Sequence, residues 1–233
     1  VLKRILSKTS FSMASQDVRY YLNGMLLELE GSKVNGVATD GHRLAFSSAQ
    51  SVSGGLEVRN ILPRKAVLEL SKLLSTGEET VNLMIGPSYV DVKCQNLSFS
   101  SKLIDGKYPD YDKVFPTGDP LPLEISKDLL QSALSRASVL SNEKYRGVRF
   151  QLSKGKLKLT ANNPEQESAE EVLDVVYEGV DLEVGFNIGY LLDVLNSIES
   201  ETVHFEFYGE DSSCIIKESG SEDDVYVIMP MRL

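Results

Sequence analysis

The chain has 233 residues, a 42% apolar fraction and a net charge of −10, which suits one large domain or two of ordinary size with real cores. It contains no run of eighteen apolar residues that would span a membrane as a helix. Two cysteines and two histidines, scattered along the chain, supply neither a zinc cluster nor a disulfide scaffold. Cys94 and Cys214 each fall in a strand-like context and read as buried free thiols in a reducing cytoplasm.

The start, Val1-Leu2-Lys3-Arg4-Ile5, is too short in its apolar part for a signal peptide and reads as a cut in mid-protein. Leu2–Phe11 reads as a strand leading to Ser12, the N-cap of a short helix over Met13–Leu22. After the Asn23-Gly24 turn signal, Met25–Glu30 and Val34–Thr39 form a hairpin turned by Gly31, with a further strand over Leu44–Ser48. Pro63 introduces a helix over Arg64–Leu74 whose apolar face is Val67, Leu70, Leu73 and Leu74. Val81–Ile85, Tyr89–Cys94 and Leu97–Leu103 alternate as strands.

From Leu123 the pattern starts again. Ser126 caps a helix carrying Leu129, Leu130, Ala133, Leu134, Ala137 and Leu140 at the 3.6-residue period. Val148–Leu152 and Lys156–Ala161 repeat the glycine-turned hairpin, and Asn187 caps a helix running to Ile198. Val203–Tyr208, Cys214–Glu218 and Val225–Met229 close the chain as strands. Gly24 to Ala38 and Gly147 to Ala161 have the same spacing, so the chain is an internal duplication of two units, each with two helices and roughly eight strands. The run Pro116–Pro122 is the linker, giving domains over 1–118 and 119–233. The expected fold class is α+β, with antiparallel sheets and helices on one face.

Charge is uneven. Residues 1–118 carry 14 Lys and Arg against 12 Asp and Glu; residues 127–158 carry eight against two, and residues 159–233 two against 18. A local basic strip on an acidic body suits a phosphate backbone, while a solvated face remains the plainer reading.

Thr39-Asp40-Gly41-His42-Arg43 invites an acid/base reading of Asp40 and His42, and with it a hydrolase or transferase. The second unit has Asn162-Asn163-Pro164-Glu165-Gln166 there, with no His, and the chain has no nucleophile elbow or glycine-rich phosphate loop. An Asp-Gly turn explains the pair without catalysis. Gln16-Asp17-Val18-Arg19-Tyr20-Tyr21 places a base beside two aromatics, suited to core packing or to stacking on a nucleic-acid strand. The tail Tyr226-Val227-Ile228-Met229-Pro230-Met231-Arg232-Leu233 is apolar almost to its end. Pro230 keeps it extended, and two thioethers beside a fixed backbone make an adaptable surface. It reads as an edge strand whose outer end lines a pocket.

Four runs carry a resemblance: Ala38–Ala45, Ser141–Arg149, Thr160–Glu167 and the tail Met229–Leu233. Together they closely resemble the beta sliding clamp of bacterial DNA polymerase III, over the second and third of that family's three domains. The resemblance implies a non-catalytic processivity factor without cofactors, two three-domain subunits joined head to tail around duplex DNA with helices inside. It implies a cleft between those domains for Gln-Leu-x-Leu-Phe-like motifs of polymerase, clamp-loader and repair proteins. Carried over by position, the cleft uses Leu22, Thr39, Gly41, His42, Arg43, Leu44, Pro109, Lys113 and Val114. From the second unit it uses Tyr145, Asn187, Tyr190, Ser213, Val227, Ile228, Met229, Pro230, Met231 and Arg232. DNA contacts carry over to Gln16, Tyr20 and Tyr21, with Arg64, Lys65, Arg136 and Arg149 behind them. Lys113 stands where relatives can carry arginine, and Asp211 stands where an apolar residue is expected; both are expected to shift client preference. Val139 and Leu140 fall on the surface that meets the partner's first domain, so without that domain a monomer that does not close a ring is expected.

Overall fold

The computed structural model describes residues 1–51, 57–74 and 80–232; Leu233 of the apolar tail lies outside them. It divides into two units, Val1–Asp110 and Tyr111–Leu233. Residues 111–118, placed with the first domain by the proline-rich linker, fall with the second unit.

The first unit opens on helix α1 (Leu2–Thr9), not on a strand. Leu2, Ile5, Leu6 and Thr9 are all buried and share one helical face, whereas neither alternate set of residues makes an apolar strand face. Helix α1 lies so close to the sheet that a Cβ at Gly36 would fall inside contact with Ile5 Cγ2. The expected helix over Met13–Leu22 is absent. The chain there makes a 3-10 turn at Ser10–Ser12, an extended Met13 and a second 3-10 turn at Tyr20–Asn23. Side chains take the backbone groups a helix would use: Asn23 Oδ1 accepts from Asp17 N at 2.9 Å, and Asn23 Nδ2 donates to Asp17 O at 2.8 Å.

Strands β1 (Gly24–Glu30), β2 (Lys33–Thr39), β3 (Arg43–Gln50) and β4 (Val58–Pro63) follow, all antiparallel, in the order β4-β1-β2-β3. Helix α2 (Arg64–Leu73) begins directly after Pro63. A three-stranded sheet of β5 (Asn82–Ile85), β6 (Tyr89–Cys94) and β7 (Leu97–Lys102) closes the unit. The core unites Ile5 and Leu6 with Met25, Leu27, Val67, Leu70, Val90 and Val92.

The second unit repeats the plan with an added strand ahead of its first helix. Strand β8 (Leu121–Ser126) leads into α3 (Lys127–Val139), then β9 (Gly147–Ser153), β10 (Lys156–Asn162), β11 (Ser168–Asp174) and the short β12 (Val176–Tyr177). Strand β13 (Leu182–Asn187) feeds α4 (Ile188–Ser197), and β14 (Thr202–Phe207), β15 (Cys214–Glu218) and β16 (Asp224–Ile228) end it. One sheet has the order β11-β10-β9-β13 and the other, within this unit, β12-β8-β14-β15-β16. Ser126 makes no side-chain cap to α3, but Asn187 Oδ1 accepts from Gly189 N at 2.8 Å and Tyr190 N at 3.3 Å, as its position predicts. Phe150 and Phe186 of one sheet meet edge to face at 5.4 Å, and Phe186 reaches Phe207 of the other at 6.3 Å. Cys94 and Cys214 are buried free thiols, and burial pushes the Cys214 thiol well up.

The equal spacing of the two hairpins is a structural equivalence. Leu26 faces Ile61 on β4 and Val37 on β2, and Arg149 faces Gly185 on β13 and Thr160 on β10.

Candidate functional site

In the first unit, the candidate stretch Thr39–Leu44 is the tight connection from β2 to β3. Asp40 Oδ1 accepts from His42 N at 2.9 Å and Arg43 N at 3.1 Å, while Oδ2 accepts from Arg43 Nε at 3.0 Å. The Thr39 hydroxyl donates to Arg43 O at 2.6 Å and accepts from Gly41 N at 3.1 Å. Arg43 is locked further by Phe11, whose carbonyl takes Nη2 at 2.7 Å and whose ring lies 5.5 Å from the guanidinium carbon. Both Asp40 oxygens are therefore engaged in shaping the turn, and His42 is exposed above it. The carboxylate holds a backbone, which is work for an Asx turn and not for a general base. Gly41 sits at φ +91°, with the Arg19 guanidinium 2.9 Å from where a Cβ would stand.

Arg19 ties this turn to the predicted DNA loop. Its guanidinium forks onto Asp17 at 2.8 and 3.0 Å and also donates to Asp40 O at 3.3 Å. Hydrogen bonds from Arg19 to the Asp17 carboxylate pull its pKa down to about 2. In that braced loop Gln16 is exposed with φ +61°, Tyr20 is exposed, and Tyr21 packs edge-on against it at 5.7 Å. Leu22 and Leu44 are buried, Pro109 and Lys113 are exposed, and Lys113 and Val114 lie on a 3-10 turn, Tyr111–Val114, that falls with the second unit.

In the second unit, the tail both completes a sheet and leaves it. Val227 and Ile228 are buried in β16, paired with Ile215 and Cys214. Met229, Pro230 and Met231 then run on half-buried, pinned by Met231 N donating to Gly185 O at 2.9 Å. Met231 and Arg232 line a cavity of about 380 Å³ with Tyr145, Asn142, Gly147, Arg149, Thr160 and Asn162. Asn142 shapes the turn beside it, its Oδ1 accepting from Lys144 N at 2.9 Å and Tyr145 N at 3.0 Å. Asn187 Nδ2 donates to Tyr145 O at 3.2 Å, so Tyr145, Asn187 and Tyr190 form one cluster. Ser213 lies half-buried just before β15, and Asp211 is exposed on the same loop. The residues sequence reasoning missed are Tyr108, Asn142, Thr160 and Asn162, and Arg19 braces the loop where the sequence offered it only as a base beside two aromatics. The Asn142 and Asn162 runs were noted only for their likeness to the family, and a lone Tyr108 carries no local signal.

The basic strip over residues 127–158 is not a free cationic surface. Arg136 forks onto Glu171 at 2.6 and 2.8 Å, Arg149 meets Glu183 at 2.5 Å, Lys154 meets Glu178 at 2.8 Å, Lys158 meets Glu170 at 2.8 Å, and Lys156 pairs with Asp174. Antiparallel pairing brings Asp174, Glu170 and Glu183 within reach of Lys156, Lys158 and Arg149, so much of the strip is neutralised within one unit, while Lys144 and Arg146 stay exposed. Arg64 is half-buried and donates to Met13 O at 2.9 Å, while Lys65 is exposed. Val139 is exposed and Leu140 half-buried at the end of α3.

Residues 1–110 match the family model for the DNA polymerase III beta subunit, central domain, and residues 112–232 the model for its C-terminal domain. The chain is 49% identical to the beta sliding clamp of Salmonella typhimurium, covering 100% of this chain and 63% of that protein. It is 48% identical to that of Pseudomonas aeruginosa, covering 100% and 64%. The chain thus spans just under two thirds of the length of these relatives. A crystal structure of the P. aeruginosa sliding clamp bound to griselimycin superposes with TM-score 0.96 at 49% identity, over 100% of this chain and 63% of that one. The C. crescentus beta sliding clamp superposes with TM-score 0.94 at 34% identity, again over 100% and 63%. With both of its units matched in order, the chain belongs to the DNA polymerase III beta subunit family.

Proposed function

We propose that this chain is the client-docking part of a DNA sliding clamp, a non-catalytic cytoplasmic processivity factor that tethers polymerase and other partners to duplex DNA. Clients dock short Gln-Leu-x-Leu-Phe-like motifs on the tail-lined surface of the second unit and on the Thr39–Leu44 stretch of the first. The observation that carries this is the tail: beyond Ile228 it is held extended by Pro230 and the Met231–Gly185 hydrogen bond, with Met231 half-exposed at a preformed cavity. A fixed backbone presents the polar groups that orient a peptide, and soft thioethers adapt to its apolar anchors. That a relative is bound to griselimycin supports a ligand-accepting surface in the family. Polymerase, clamp-loader and repair proteins are the clients, and the whole three-domain protein acts as a head-to-tail dimeric ring. Gln16, Tyr20 and Tyr21 are the DNA contacts, because their loop is braced yet leaves Gln16 and Tyr20 exposed.

A labelled Gln-Leu-x-Leu-Phe peptide titrated into the protein tests this reading. Saturable binding that a Phe→Ala peptide loses is expected. Absence of binding to the folded wild-type chain at millimolar peptide refutes it.

A further inference from the structure

The two repeats end their last strand in the same way and then part. In the first unit Ile104 N donates to Ile61 O at 2.9 Å; in the second Met231 N donates to Gly185 O at 2.9 Å. Ile61 and Gly185 are equivalent positions, facing Leu26 and Arg149 in the same hairpin register. Past that anchor the first unit folds its chain back over the sheet. Tyr108 is buried there, and its hydroxyl accepts from Thr39 N at 3.1 Å. Leu26, Val37 and Thr39 are all buried.

In the second unit the counterparts of those three residues are Arg149, Thr160 and Asn162. Arg149 and Thr160 are half-exposed and Asn162 exposed, and all three line the cavity beside Met231. Among the described residues nothing there takes the place of Tyr108. Arg232, the next residue past the anchor, lines the cavity and is exposed. In the first repeat a buried Tyr108 stands at this position, on the wall of a cavity that Leu26, Ile61 and Ile104 also line; in the second, no described aromatic past the anchor does.

We infer that this cavity accepts one aromatic side chain, Tyr or Phe, presented by an extended acidic segment of a partner polypeptide; this rests on the reading that the tail surface docks client peptides. The first repeat shows the kind of occupant: a buried tyrosine, carried by the chain past the strand end, whose hydroxyl bonds the hairpin backbone at Thr39. The lining suits it, with the Tyr145 ring for edge contact and the Met231 thioether as an adaptable wall. The flank is acidic because the exposed rim is basic: Lys144, whose ammonium lies 5.1 Å from the Tyr145 ring centre, with Arg146 and Arg232. Such a subsite shares Tyr145, Met231 and Arg232 with the motif-docking surface and reads client residues that flank the motif.

The test uses an Asp-Tyr-Pro-Asp tetrapeptide, blocked at both ends, titrated into the full chain with methyl-labelled methionine. A saturable shift of the Met231 methyl is expected. It should be lost with an Asp-Ala-Pro-Asp peptide and weakened at least about tenfold in Asn162→Trp and in Thr160→Arg. Both substitutions sit on the outer face of the hairpin, and a melting curve checks that they fold. An unmoved Met231 methyl at millimolar peptide, or a shift unchanged in both folded variants, overturns the inference. The Gln-Leu-x-Leu-Phe peptide on wild type keeps the two readings apart: its failure there refutes the proposed function whatever the tetrapeptide does, and its binding without any tetrapeptide shift refutes this inference alone.

Discussion

Asp40 and Asn163 occupy the same corner of the two repeats, and together they explain what each is for. Asn163 Oδ1 accepts from Glu167 N at 2.9 Å, and its Nδ2 donates to Glu167 Oε2 at 2.7 Å. Asp40 does the same kind of work with two acceptor oxygens, taking the amides of His42 and Arg43 and the Arg43 side chain. A short polar side chain that bonds its own backbone is what this corner needs in either repeat. The difference is the charge. A carboxylate orients an arginine, and Arg43 then reaches Phe11; the neutral amide of Asn163 organises only its own turn. The charged corner lies in the stretch proposed to dock clients.

The largest effect is expected where the repeats differ most, at their ends. Removing the tail from Met229 onward should weaken motif-peptide binding at least about a hundredfold, or ~2.8 kcal/mol. The protein should still melt cooperatively, because β16 ends at Ile228. Peptide affinity and thermal melting measured on the same truncated protein check this, and an unaltered dissociation constant breaks the comparison.

Next comes the packing of the first helix of each unit. Gly36 on β2 and Leu159 on β10 are equivalent positions, and only the glycine admits a helix as close as Ile5 of α1. Gly36→Leu should destabilise the first unit by about 2 kcal/mol through overpacking, whereas the same residue is already native and buried in the second. Denaturant unfolding reads the difference.

Tyr108→Phe should cost about 1–2 kcal/mol by leaving the Thr39 amide without its acceptor in a buried setting. Burial raises the Tyr108 phenol pKa beyond the ordinary range, so that hydrogen bond should persist at alkaline pH. An alkaline absorbance titration in which Tyr108 ionised normally would contradict it.

Asp40→Asn makes the first corner resemble the second. Stability should fall by at most about 1 kcal/mol, because the pair with Arg43 is partly solvated. Motif-peptide affinity should fall more than stability does, since Arg43 loses its orientation. Equal losses would mean that the charge serves folding alone.

The smallest expected effect is a pH dependence confined to the first unit. Asp17 has a folded pKa lowered to about 2 by Arg19. Its contribution is therefore complete above the unfolded carboxylate range and fades as pH falls from about 4 toward 2. Amide shifts of residues 16–23 should follow a single low titration, and Arg19→Gln should raise the Asp17 pKa toward the ordinary carboxylate range, short of it because the residue 19 amide still donates to the carboxylate.

Much of the plan was legible in the chain. Hairpin spacing from Gly24 to Ala38 and from Gly147 to Ala161 reports the duplication, because a strand pair of fixed register has fixed length. Asn187 announced its helix because an N-cap is a local interaction. Leu2, Ile5, Leu6 and Thr9 also carry the helical period, which the strand expected over Leu2–Phe11 passes over. Tertiary structure decided the rest, because it depends on partners distant in sequence. The loop at residues 13–19 is set by Asn23 and Asp17 clasping each other, which overrides helix formation. Much of the basic strip is neutralised because strand pairing brings Lys158 within reach of Glu170 and Arg149 within reach of Glu183. Composition counts such charges, and only register says which of them meet. The cavity beside Met231 has the same kind of origin: identical spacing in two repeats fixes where the chain crosses, and what the chain carries past that crossing, a buried Tyr108 in the first unit and an exposed Arg232 in the second, decides what lines that face.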